Sequence, residues 1–154
     1  MGLTAKNPYE DDEPIEATRS GEPEPPVVDL LAVDHVALAV EDLDEALDDH
    51  RGAFGLTVEH REVLDDEAVE VAVLRVGGTD LHLMAPVSEE SWLVEFLEVQ
   101  GPGLNHLGYR VADCAAALAE LGARGYELVD EEPRPGVRGA LVAYVHPPDE
   151  PGTL

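Results

Sequence analysis

At 154 residues the chain is long enough for one domain with a sizeable core, or for two small modules that share one. Its formal charge of −25, from 34 acidic and 9 basic residues, argues against a nucleic-acid or anionic-membrane partner, because both need a basic patch that displaces counterions. The single cysteine, Cys114, rules out an internal disulfide and a cysteine-based zinc cluster.

No stretch approaches the roughly 20 apolar residues of a membrane span. The first residues have neither a basic nor an apolar leader region, so a cytoplasmic location is expected. The acidic residues run through helical and strand-like segments as well as the N-terminal region, and Lys6 is the only lysine. That distribution reads as adaptation to a high-salt cytoplasm, where screening removes self-repulsion.

Residues 1–30 combine acidic residues, proline and glycine with little apolar content and are expected to form a disordered acidic tail. Residues 31–154 read as the folded domain: module one over 31–87, a linking helix over 88–101 and module two over 102–154. Alternation in Ala32 to Val40, AVDHVALAV, puts His35, Ala37 and Ala39 on one face of a strand and Val36, Leu38 and Val40 on the other. A helix should follow, capped by Asp42 and ended by Gly55. Leu56 to Val63, Val69 to Val76 and Leu81 to Ala85 then read as three strands. The linking helix is expected to start from Ser88 as cap and to stop at Gly101-Pro102-Gly103.

Leu104 to Val111, LNHLGYRV, repeats the first strand. Overlaying His35 on His106 also brings Asp42 onto Asp113 and Leu47 onto Leu118, so the second module should open as the first does. In this second strand His106 shares its face with Gly108 and Arg110, while Leu107, Tyr109 and Val111 have the bulk of a helix-packing face. A helix capped by Asp113, a short strand over Tyr126 to Val129 and another over Ala140 to Val145 complete the pattern. The fold class expected is α+β, two βαβββ modules forming a curled mixed sheet.

Of the six histidines, His35, His82 and His106 lie within strand-like segments. A lone strand histidine is usually a hydrogen-bonded structural residue, but two at equivalent positions of a repeat, with His82 on a neighbouring strand, supply three imidazoles for a first-row divalent ion. Glu70 lies among apolar residues on the face of Ala72 and Leu74, and a glutamate partly removed from water suits a base. A salt-bridged or edge-strand glutamate is the plainer reading. Arg134, Arg138, Gly136 and Gly139 form a basic, glycine-containing loop that could meet a phosphate-bearing ligand or be a simple turn.

The segments VDHVALAV, LHLMAP, GPGLNHLGYRV and DEEPRPGVRGALVAYVHP, in this order and spacing, resemble the methylmalonyl-CoA epimerase family of the vicinal oxygen chelate superfamily. The resemblance covers Leu31 to Leu154. It implies paired βαβββ modules curled round a metal site, with His35, His82 and His106 as ligands of one divalent ion (cobalt, manganese or zinc). It also implies an acyl-CoA substrate and leaves a homodimer open; Asn105, expected beside the site, and Arg134, Arg138 and Gly139 of the basic loop are the candidate substrate-binding residues. His82 stands where the family often has glutamine or glutamate, and Asn105 where it often has histidine. The implied reaction is epimerisation of methylmalonyl-CoA by α-proton abstraction through an enolate, with Glu70 as one of two proton-transferring groups. The other would be a glutamate on a last strand, which is expected to begin about where the sequence stops at Leu154. Other chemistries of the superfamily, glyoxalase or ring-cleaving dioxygenase, and a non-catalytic ligand-binding relative are the alternatives.

Overall fold

The computed structural model describes residues 25–146. Ala32–Ala39 forms β1, Leu43–Phe54 α1, Val58–Leu64 β2, Val69–Val76 β3 and Thr79–Pro86 β4; Trp92–Gln100 forms α2, Gly103–Arg110 β5 and Cys114–Ala123 α3. Two-residue strands β6 (Arg134–Pro135) and β7 (Leu141–Val142) pair around a short 3-10 turn at Val137–Gly139. The main sheet has the order β2-β3-β4-β1-β5, with β1 parallel to β4 and the other pairs antiparallel. The protein is therefore α+β with a mixed sheet, as expected. No helix among the described residues is long and apolar enough to cross a membrane.

Period-2 alternation builds two different cores on the two faces of this sheet. On one, Ala37, Ala39, Val69, Val71, Val73 and Met84 pack with Leu93, Phe96 and Leu97 of α2 and with Val137. On the other, Leu38, Ala72, Leu74, Leu83 and Ala85 pack with Leu43, Ala46 and Leu47 of α1. β3 serves both: Val69, Val71, Val73 and Leu74 are fully buried, and each such side chain contributes about 1.5–3 kcal/mol. A rigid interior strand thus fixes the positions of the residues mounted on its neighbours, β2 and β4.

The helix boundaries follow from local chemistry. Asp42 accepts from the Glu45 N–H at 3.0 Å and Asp113 from the Ala116 N–H at 3.0 Å, so the two equivalent aspartates cap equivalent helices. Gly55 ends α1 in the left-handed region, φ 68°. The cap of α2 is Ser91, whose hydroxyl accepts from the Leu93 N–H at 3.3 Å, rather than Ser88. The Ser88 carbonyl accepts from the Ser91 N–H instead, which makes residues 88–91 a turn ahead of the helix.

The second half is less regular than the repeat implied. Tyr126 to Val129 forms only an isolated bridge, Leu128 to Val145, and the strand expected over Ala140 to Val145 shrinks to β7. Pro133 and Pro135 flank Arg134 and remove ladder donors, which keeps the hairpin short. Leu107 and Tyr109, expected beneath a helix, are exposed, because β5 is an edge strand and α3 buries only Leu118 fully. The N-terminal tail up to residue 24 and the last strand expected near Leu154 lie outside the described residues.

Candidate active site

The register of the sheet brings the three histidines together. Ala37 pairs with His82 on one side and with His106 on the other, and His35, two residues before Ala37, shares their face. His35 and His82 stack, with ring centroids 4.1 Å apart and an interplanar angle of 5°. His106 meets His35 edge-on, and their Nε2 atoms lie 3.2 Å apart. Gly108 pairs with His35 and makes this possible: a Cβ there would lie 2.0 Å from the His35 Cε1.

Each of the two repeated histidines is oriented by the residue before it. The His35 Nδ1–H donates to Asp34 Oδ2 at 2.9 Å, and the His106 Nδ1–H donates to Asn105 Oδ1 at 2.6 Å. Burial raises the Asp34 carboxyl, but hydrogen bonds and charge from His35 and Arg110 outweigh it and hold the group below its ordinary value. Asp34 is thus an ionised acceptor. With both Nδ1 atoms donating, a neutral ring carries its lone pair on Nε2, and the two Nε2 atoms face each other. A proton on one of these nitrogens makes the 3.2 Å contact a hydrogen bond, and a shared cation would bridge the same pair.

Burial, reinforced by the charge of His35, lowers His82 to about 4. Burial together with the charges of His35 and His82 lowers His106 to about 3. Both rings are neutral near pH 7 and have lone pairs to offer, as metal ligation requires. Three imidazoles, two with oxygen acceptors behind them, fit a first-row divalent ion in donor chemistry. As the side chains stand, no three His, Cys, Asp or Glu among the described residues are set out to hold one ion, since His82 lies flat on His35.

Tyr144 closes the far side of His106, edge to ring at 5.2 Å. Burial, with the Glu67 charge, pushes its phenol up to about 12, so it stays protonated. The Arg134 guanidinium lies over the Tyr144 ring at 5.0 Å and forms an ion pair with Glu67 Oε1 at 2.6 Å. Arg134 thus has a carboxylate partner, and the Asn105 Oδ1 is taken by His106. Arg138 is different. Every other described arginine has a carboxylate within 4.0 Å; Arg138 has none among the described residues. Its backbone is left-handed, φ 58°, next to Gly139 at φ 70°, and its charge is felt at His82.

Glu70 is not brought to the histidines. It alternates with Val69 and Val71, whose side chains join the histidine face, and shares its own face with Ala72, Leu74 and Ala85 beneath α1. There Arg61 bridges it to Asp44 of α1. Apolar surroundings correctly signalled burial but not which side of the sheet was buried for chemistry. Asp34 and Tyr144 were missed. Asp34 was detectable, because the same overlay that equates His35 with His106 sets Asp34 on Asn105, an oxygen acceptor before each histidine.

The chain resembles known proteins in sequence and in fold. A profile of the glyoxalase/bleomycin resistance protein/dioxygenase superfamily matches residues 34–144. The ethylmalonyl-CoA/methylmalonyl-CoA epimerase of Cereibacter sphaeroides is 36% identical over 126 residues, 79% of this chain and 92% of that protein. An uncharacterised Bacillus subtilis protein, YqjC, is 30% identical over 122 residues, 79% and 87% of the two chains. A solved methylmalonyl-CoA epimerase in complex with methylmalonyl-CoA and NH4+ superposes with a TM-score of 0.74 at 30% identity, covering 77% of this chain and 87% of that one. The chain belongs to the glyoxalase/bleomycin resistance protein/dioxygenase superfamily, among relatives named methylmalonyl-CoA epimerase.

Proposed function

We propose that this protein is a metal-dependent epimerase that interconverts the (R) and (S) forms of methylmalonyl-CoA. The supporting observation is the facing pair of Nε2 atoms of His35 and His106, each ring oriented from behind, in a chain whose relatives act on this substrate. His35, His82 and His106 would hold one divalent ion. When bound, the ion supplies positive charge that stabilises negative charge developing on a thioester oxygen.

The chain's own residues do the rest. Asp34 and Asn105 fix the rings, and the buried Ala37, between His82 and His106, and Val73, on the other side of His82, give them a rigid, dry floor. Arg138, with no carboxylate partner, is the described cation best able to receive an anionic group of the substrate. A non-catalytic binding protein is the competing reading, favoured by the position of Glu70 behind the sheet. Racemisation of single-isomer methylmalonyl-CoA by the purified chain, with cobalt, manganese or zinc present, separates the two. Turnover in the absence of any other enzyme is expected; none with any of the three ions would overturn the epimerase reading.

A further inference from the structure

His60 and Glu62 of β2 form a polar pair on the histidine face. Glu62 pairs with Val71 and His60 with Val73, and both valines belong to the core on that face. Val73 pairs in turn with His82, so His60, Val73, His82, Ala37 and His106 form one row across the sheet. Glu62 sits one step along, opposite Val71. From strand spacing and rise, its Cα is about 12 Å from that of His82, which leaves room between the two side-chain tips for a small acyl group.

Glu62 is hydrogen-bonded at one oxygen and approached by His60 at the other. Oε1 accepts from the Arg138 N–H at 2.8 Å. Oε2 lies 3.3 Å from the His60 Nε2, an ion-pair distance whose angle is not that of a hydrogen bond, so this buried nitrogen has no well-formed partner. Arg138 links the two ends of the site, because its backbone binds Glu62 while its charge reaches His82. The other shielded carboxylates nearby are spent on guanidinium groups: Glu67 on Arg134, Asp80 on Arg75, Asp34 on Arg110, and Glu70, on the opposite face, on Arg61. A guanidinium partner favours the ionised carboxylate over the protonated one that proton abstraction must produce. Glu62 has none.

We propose that Glu62 is the base that takes the α-proton of the acyl-CoA, with His60 and the Arg138 N–H as its positioning contacts. This rests on the epimerase reading above. In the step, a Glu62 oxygen forms the new O–H bond and the C–H electron pair moves into a double bond between the α-carbon and the thioester carbonyl carbon. The carbonyl oxygen takes the negative charge. After exchange with water, return of a proton from Glu62 reverses each change on the same face.

The test is α-proton exchange of methylmalonyl-CoA in heavy water by the full chain with a divalent ion, corrected for spontaneous exchange. Glu62→Gln keeps an oxygen that accepts from Arg138 but cannot take a proton. Its kcat for exchange should fall at least about 100-fold, the lower end for general-base catalysis, with KM and melting temperature nearly unchanged. Glu62→Asp should keep part of the rate. Exchange by Glu62→Gln within about threefold of wild type would overturn the assignment and leave the epimerase reading standing. A raised KM with unchanged kcat would overturn it in favour of loop anchoring. No exchange by the wild-type chain would overturn both.

Discussion

Gly108→Ala tests whether the site depends on the crossing of β1 and β5. The added Cβ would lie 2.0 Å from Cε1, 2.4 Å from Nδ1 and 2.6 Å from Nε2 of His35, far inside van der Waals contact. The obstructed atoms are the end of a side chain, so the ring can swing away and the strand pairing need not break. In leaving, it gives up the bond to the Asp34 carboxylate and the contact with His106. A hydrogen bond to a charged group is worth about 1.5–3 kcal/mol and a neutral one about 0.5–1.5, giving a loss of about 2–4 kcal/mol. For a chain of this size that is a fall of about 5–15 °C in melting temperature. The fold should survive while cobalt affinity, followed by the ligand-field absorption of the bound ion, drops more than about tenfold. A variant that melts with the wild type and binds cobalt as tightly would show that His35 is not confined by Gly108.

The metal-free chain should lose stability as pH falls. His82 and His106 sit at about 4 and about 3 when folded against 6.5 when unfolded, so below 6.5 the unfolded chain binds more protons; the unfolding free energy from urea titrations should drop between pH 7.5 and pH 5 by an amount on the order of a few kcal/mol, and a flat profile would contradict the burial of both rings. Glu70→Gln should leave α-proton exchange within about twofold of wild type and cost no more than about 1 kcal/mol, because its ion pair with Arg61 is partly exposed. Loss of exchange would return the base to Glu70. A divalent ion at about 100 times its Kd should stabilise the wild type by about 2.7 kcal/mol and leave His106→Ala unmoved. Equal responses would remove His106 from the ligand set.

Much of this was legible because it rests on short-range rules. Alternation assigned His35, Ala37 and Ala39 to one face, and the structure packs Ala37 and Ala39 in one core and Leu38 against the other. Asp42, Gly55 and Asp113 act as the capping positions their chemistry implied. What failed depends on pairing between distant segments. Glu70 was correctly grouped with Ala72 and Leu74, but the pattern of one strand does not say which of its faces meets His35 on another; that follows from the β3-β4-β1 register. Ser88 and Ser91 are equally good caps locally, and the turn at 88–91 chooses between them. The strands of the second half were overestimated because repeat symmetry was extended into a proline-rich stretch whose backbone cannot complete the ladder.

Charge imposes a condition on the proposed reaction that runs against the usual rule for anionic substrates. An enzyme that binds phosphates through a basic patch loses affinity as salt rises, since screening weakens the attraction. Here the formal charge is −25, and every described arginine but Arg138 is matched by a carboxylate, so the long-range field repels an acyl-CoA. The Debye length shrinks from about 10 Å at 0.1 M to about 3 Å at 1 M, which removes that repulsion while sparing contacts at hydrogen-bond distance. KM for methylmalonyl-CoA should therefore fall between 0.1 and 1 M potassium chloride, and the urea midpoint should rise over the same range as crowded carboxylates cease to repel. Arg138→Ala should raise KM at every salt concentration, because it removes the short-range contact rather than the field. A KM that climbs steadily with salt would mean that local attraction governs binding, and would refute this account of the acidic surface.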